Sequence, residues 1–390
     1  MGRWSIGSVL VLCLLLCACS RNEEEAGVSD TTLSIYVYTP ESPLLTRGNT
    51  EFVNPTTGRF SIYSLQIWVF EHTSGNLVGY FTPASTDELN REKSAIYQMT
   101  VTPQFVHNKP NVDVYVLANI KEATCGYEFD ERTSRETLDE AVLRYVDDEH
   151  DYFGLMGHKY TVVPEGIGLP VSGVLRNQKV TGESPTLRVG DGSLATVQLV
   201  RAVSKLRFIF SQQKNEDAVL RIHQVTLEGE ELLPKQEYLF LEDGYNTQRE
   251  YHINTSAGYE EGPVIMADEE DIGEIAANTH PNMYVHTTQS PQDYELMISR
   301  GLSTNPAELT QVGPFYLRET DKKLTGKIQY SINNGEIRTA TFSMHDAGDF
   351  SRNHTWTVYA FYGTSTLEVL VVRIKEWTIV QELDHELYNW

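Results

Sequence analysis

The chain has 390 residues, 40% of them hydrophobic, and a formal net charge of −23. That length suggests two domains, and the composition is ordinary for a packed globular protein. The negative charge is spread along the chain, not gathered in a tail, which argues against nucleic acid and against an anionic membrane surface as partners, since both require basic patches.

The first residues, Met-Gly-Arg, carry one positive charge at Arg3, followed by the apolar run Val9 to Leu16. A basic start, a short apolar centre and small residues before a cut site make a secretory signal. The run is too short to span a bilayer, which needs roughly 20 residues. It ends Leu16-Cys17-Ala18-Cys19, which resembles the lipobox of bacterial lipoproteins. The resemblance implies cleavage after residue 18 and acylation of Cys19 as the new first residue. The alternative is an ordinary signal peptide with incidental cysteines. Ser20 to Glu25 is polar and acidic. It resembles the export signal that sends some lipoproteins to the outer face of the outer membrane, although a solvated tether has the same composition.

Of the four cysteines, Cys13, Cys17 and Cys19 fall in the signal and lipobox. Cys125 then remains alone in the mature chain, so no intramolecular disulfide is expected. It is read as a half-buried packing residue.

Alternation of apolar and polar residues then dominates, which is the strand signal. Thr32 to Tyr38 alternates, with Leu33, Ile35 and Val37 on one face and Tyr36 and Tyr38 on the other. Tyr63 to Phe70 reads as a strand, Ser74-Gly75-Asn76 as a turn, and Leu77 to Phe81 as its hairpin partner. Val112 to Asn119 is another strand. Asp130 to Val146 is the best helical stretch, with Leu138, Val142 and Tyr145 at helix spacing. Gly190-Asp191-Gly192 reads as a linker, with a domain boundary near residue 200. Leu194 to Phe210 is strand-like, interrupted by Arg201 and Lys205. Further strands are expected at Arg221–Glu228, Tyr294–Ser299, Lys327–Ile332, Thr339–Met344, Thr355–Tyr362 and Leu367–Ile374. Many short strands with turn signals between them indicate an all-β fold with minor α content, built as β-sandwiches.

No catalytic pattern stands out: there is no nucleophile elbow, zinc helix, P-loop or dinucleotide fingerprint. No catalytic residue, metal site or cofactor is assigned, and the chain is not expected to be an enzyme. His150 and His158 flank an acidic stretch that reads as an exposed loop. Arg352-Asn353-His354 reads as a turn leading into a strand.

The order of these features resembles the fimbrillins, the subunits of type V pili. The likeness covers most of the mature chain and rests on pieces that are unspecific singly. They are the lipobox cysteine, the early strand followed by Arg47, Leu65-Gln66-Ile67-Trp68-Val69-Phe70 and Leu77-Val78-Gly79-Tyr80. Then come Val114 to Asn119, Leu199 to Leu206, Arg352 to Tyr359, and Trp377. The resemblance implies two transthyretin-like β-sandwich domains, at 48–200 and 201–390, after a signal peptide at 1–18 and a tether with a propeptide strand at 19–47. It implies a precursor held by lipid in the outer membrane, cut after an arginine by a trypsin-like protease. The first strand then leaves, and a strand from another pilus subunit takes its place at the cell surface.

The residues can be set against that scheme. Between Arg21 and Arg47 there is no Lys or Arg. A protease with basic specificity that spares the tether would therefore cut between Arg47 and Gly48, in a loop containing Pro, Gly and Asn. Arg59 is the next candidate. Loss of Leu33, Ile35 and Val37 from a core would cost roughly 5–9 kcal/mol at about 1.5–3 kcal/mol each. The vacated edge would template pairing with another chain. Trp377, Ile379, Leu383 and Leu387 mark a candidate donor strand, the alternative being a last strand that completes its own domain. A stalk subunit and an accessory or tip subunit both fit. A competing reading is a monomeric, surface-exposed glycan-binding lipoprotein that uses exposed aromatic rings.

Overall fold

The computed structural model describes residues 31–38, 62–83, 94–120, 128–144, 168–213, 218–240, 252–275, 277–278, 310–347, 350–363 and 365–374. The first half contributes β1 (Thr32–Tyr38), β2 (Leu65–Glu71), β3 (Leu77–Phe81), β4 (Ser94–Thr100), β5 (Val112–Ala118) and β6 (Val142–Arg144). They are followed by β7 (Val171–Gln178), β8 (Val180–Glu183), β9 (Thr186–Val189), β10 (Thr196–Gln198) and β11 (Val200–Arg201). The second half contributes β12 (Ser204–Gln213), β13 (Leu220–Glu228), β14 (Gln236–Tyr238), β15 (Val264–Glu274) and β16 (Ala277–Asn278). It ends with β17 (Thr310–Leu317), β18 (Thr325–Ile332), β19 (Arg338–Ser343), β20 (Thr355–Tyr362) and β21 (Leu367–Ile374). The fold is all-β, with two short α-helices among the described residues, Pro103–Asn108 and Arg135–Asp139.

In the first sandwich, one sheet holds β4, β1, β9, β10 and β8, and the other runs β11-β7-β5-β2-β3. Period-two alternation sends one face of each strand inward. Leu33, Ile35 and Val37 meet Ile67, Val69, Val114, Val116, Leu187 and Val197 in a single core. All seven residues of β5 are buried. Its second face carries Tyr115 and Leu117, which join Trp68, Phe70, Ala202, Val203, Leu239, Phe240 and Tyr316 in another cluster. A strand covered on both faces has no need of outward polar residues, so this segment is nearly all apolar.

The second sandwich sets β16-β12-β20-β21, with β17 on β12, against β15-β13-β18-β19. Leu206, Phe208 and Phe210 of β12 pack with Ile222, Val225, Trp356 and Val358. The Phe208 ring lies 5.9 Å from Phe315 and 5.7 Å from Phe342, both edge-on. A two-stranded ribbon links the halves, with Val142 of β6 opposite Tyr238 of β14.

Two expectations need correction. The helix foreseen over Asp130–Val146 shrinks to Arg135–Asp139, capped by Ser134, whose hydroxyl accepts from Thr137 N. Val142–Arg144 instead form β6. Leu138 of the helix and Leu143 of the strand both reach the same buried cluster, so a helical turn followed by a strand buries the apolar residues here. Backbone pairing with β14 overrides the local preference. Gly190-Asp191-Gly192 is not a linker. It turns β9 into β10, and both strands pair with β1. Gly190 has φ 130°, and a Cβ there would lie 2.0 Å from Ser193 O, so the turn requires glycine. The strand expected at Tyr294–Ser299 lies outside the described residues.

Candidate functional site

The strand singled out by its alternation, β1, sits inside its sheet. Along one edge it runs antiparallel to β4 over its whole length, from Thr32 opposite Thr100 to Tyr38 opposite Ser94. Along the other edge, Thr32–Ser34 run parallel to Thr186–Arg188 of β9, and Tyr36–Tyr38 parallel to Thr196–Gln198 of β10. Leu33 and Ile35 are 0% exposed and Val37 is 2% exposed. At the strand's start, Thr32 N donates to Pro185 O at 2.8 Å, and Val101 N donates to Thr31 O at 3.0 Å. The Thr31 and Ser184 hydroxyls meet at 2.8 Å.

Removing such a strand uncovers two backbone edges at once, with an apolar floor between them. The three inward side chains alone contribute roughly 5–9 kcal/mol at about 1.5–3 kcal/mol each. Each backbone hydrogen bond adds about 0.5–1.5 kcal/mol net. Sequence reasoning missed the longer wall of this slot, β4. The apolar residues Ala95, Tyr97 and Met99 at every second position were the available signal.

A second concentration of unusual side chains is a buried charge cluster between the halves. Arg352 Nη2 lies 2.7 Å from Glu237 Oε1 and 3.0 Å from Glu319 Oε1. Arg352 Nη2 also donates to Tyr238 O at 2.7 Å, and Glu319 N donates to Glu237 Oε2 at 2.8 Å. Arg318 is fully buried, donates through Nε to Pro234 O at 2.8 Å and pairs with Glu260. Burial pushes the Glu237 carboxyl up to about 8, against the pull of the Arg352 guanidinium. Burial likewise lowers Arg201 to about 9. These groups fasten the β14 segment to the second sandwich. Arg352-Asn353-His354 forms the turn into β20, with Asn353 at φ 58° and its N–H donating to Val203 O at 3.0 Å. A cavity of about 570 Å³ lies elsewhere, lined by Glu228, Lys327, Thr341, Phe342, Val369 and Val371 among others. Among the described residues, no three His, Cys, Asp or Glu side chains are grouped to hold a metal.

Of the site residues foreseen from sequence, Leu33, Ile35 and Val37 are placed together in the first core. Cys19, Arg47, Gly48, Trp377, Ile379, Leu383 and Leu387 lie outside the described residues, as do Cys125, His150 and His158. The exposed large apolar side chains among the described residues are Leu77, Ile96, Val219, Ile265 and Ile337, all aliphatic. Trp68, Tyr115 and Trp356 are buried. Tyr36, Tyr63, Tyr80, Phe81 and Tyr97 are half-buried.

No family model matches the chain, and no curated protein matches it. Solved structures similar to it include a candidate cell adhesion protein from Parabacteroides distasonis ATCC 8503, at 14% identity and TM-score 0.48, covering 90% of this chain and 98% of that one. The tip fimbrial protein Mfa3 from Porphyromonas gingivalis, with a C-terminal truncation, is similar at 13% identity and TM-score 0.47, covering 88% and 99%. A fimbrial assembly protein from Parabacteroides distasonis ATCC 8503 is similar at 13% identity and TM-score 0.44, covering 88% and 95%.

Proposed function

We propose that this chain is a structural subunit, stalk or accessory/tip, of a cell-surface fimbrium that contributes to adhesion. The precursor is exported, acylated on Cys19 and held in the outer membrane. A trypsin-like protease cuts between Arg47 and Gly48, β1 leaves, and a strand from another pilus subunit fills the vacated slot. The chain itself catalyses nothing and needs no cofactor.

One observation carries the reading. The strand on the N-terminal side of Arg47 is a central strand whose inward face is buried in the first core. A terminal strand that completes a core from within is the element whose exchange couples one subunit to the next, because an incoming strand satisfies both open backbone edges and the side-chain pockets. The candidate donor, Trp377 to Leu387, places Trp377, Ile379, Leu383 and Leu387 on one alternating register, with Gln381 and His385 between them.

The test is N-terminal and intact-mass analysis of protein sheared from cells, together with gels run with and without boiling. The reading expects loss of residues 19–47 and a detergent-resistant, heat-labile ladder. A sheared protein that keeps its lipid and runs as a monomer would overturn it.

A further inference from the structure

Among the described residues, β4 has one backbone partner in its sheet, and that partner is β1. When β1 leaves, no ladder holds β4 to β9 and β10. Side-chain contacts across the sandwich edge do. Met99 of β4, opposite Leu33, is 4% exposed and lies over Gly79 of β3. A Cβ built on Gly79 would sit 2.6 Å from Met99 Sδ and 3.0 Å from Met99 Cγ. Tyr97 of β4, opposite Ile35, meets Phe81 of β3 with ring centroids 5.2 Å apart. Beyond β4, the helix Pro103–Asn108 buries Phe105 in the same core, and Lys109 Nζ donates to Gly182 O of β8 at 2.6 Å. The strand is therefore anchored past its C-terminal end and held along its length by two contacts to β3.

We propose that β4 is the partner-reading wall of the slot and that Gly79 is a positioning residue for the incoming strand. Lacking a side chain, Gly79 lets Met99 cross the sandwich edge. That crossing keeps β4 one strand-width from β9 and β10 after β1 has gone. The partner it fits is an extended segment running antiparallel to β4, with apolar side chains at three alternate positions. This rests on the strand-release reading above.

Two measurements on the full chain separate the two ideas. In the intact protein, Gly79→Val should speed amide hydrogen exchange across 94–100 by about tenfold or more, with 186–189 and 196–198 unchanged. Gly79→Ala, together with Phe81→Leu in a second variant, guards against loss of folding and should shift the same amides in the same direction. Unchanged exchange over 94–100 in both Gly79 variants would overturn the role of Gly79, whatever Phe81→Leu does. In the second measurement, a site-specific protease nicks the folded chain within 39–61, and a labelled peptide of residues 31–38 competes for the slot. The peptide should be retained by the wild type and leave about tenfold faster from Gly79→Val. If even the nicked wild type never takes up the peptide, strand release fails, while the exchange comparison still decides Gly79.

Discussion

Leu33 of β1 lies directly opposite Met99 of β4, and both side chains are buried in the core of the first sandwich. The pair joins a strand expected to leave to the strand that stays. Changes on either side of this seam should therefore affect the subunit before and after release in different ways.

Ile35→Ala should destabilise the precursor by about 2–5 kcal/mol, the cost of truncating a fully buried aliphatic side chain. Tyr36→Ala, at a half-buried position on the other face, should cost clearly less. Denaturant unfolding of the uncut protein, followed by a probe in the first sandwich, measures both. Equal costs would mean that the inward face of β1 does not carry the strand's stability.

Arg47→Ala should abolish material beginning at Gly48 and leave precursor accumulated or shift the cut to Arg59, because no other Lys or Arg lies between Arg21 and Arg47. Mass spectrometry of the N-terminus reads the result. Material beginning at Gly48 in the variant would rule out basic specificity at this bond.

Cys19→Ser should abolish incorporation of labelled palmitate and move the precursor from the detergent phase to the aqueous phase. Stable membrane attachment needs more than one acyl chain, so loss of the acceptor residue removes the anchor outright. Persistent detergent partitioning would point to another means of attachment.

The Glu237 carboxyl, raised by burial from 4.5 to about 8, makes the folded chain bind more protons than the unfolded chain between those values. Its contribution to stability is fully present below about pH 4.5 and is lost as pH rises through about 8. Glu237→Gln should flatten that fall. The comparison is the denaturant midpoint of wild type and variant from pH 5 to 8.5. A parallel pair of curves would show that Glu237 does not titrate in this range.

The strands were largely legible because a half-buried strand must alternate. Thr32–Tyr38, Leu77–Phe81 and Thr355–Tyr362 were readable to within a residue or two. The helix expected over Asp130–Val146 gives way because Leu138 and Leu143 reach one cluster from a short helix and from a strand. The preference of Val142–Arg144 is set by β14, far away in sequence, and local pattern carries no record of that partner. The charge cluster was invisible for the same reason. Glu237, Glu319 and Arg352 come from three separate segments, and no local pattern links them.

By itself, the sequence determined which face of Thr32–Tyr38 is apolar, that the class is all-β, and that Arg47 is the first basic residue after the tether. These depend on side-chain period and residue identity, which are local. The tertiary structure alone decided that β1 is central, that β4 pairs with it along its whole length, and that Met99 lies against Gly79. Strand neighbours are chosen by long-range pairing, whose register depends on shape and burial across the whole sandwich and not on the segment's own pattern.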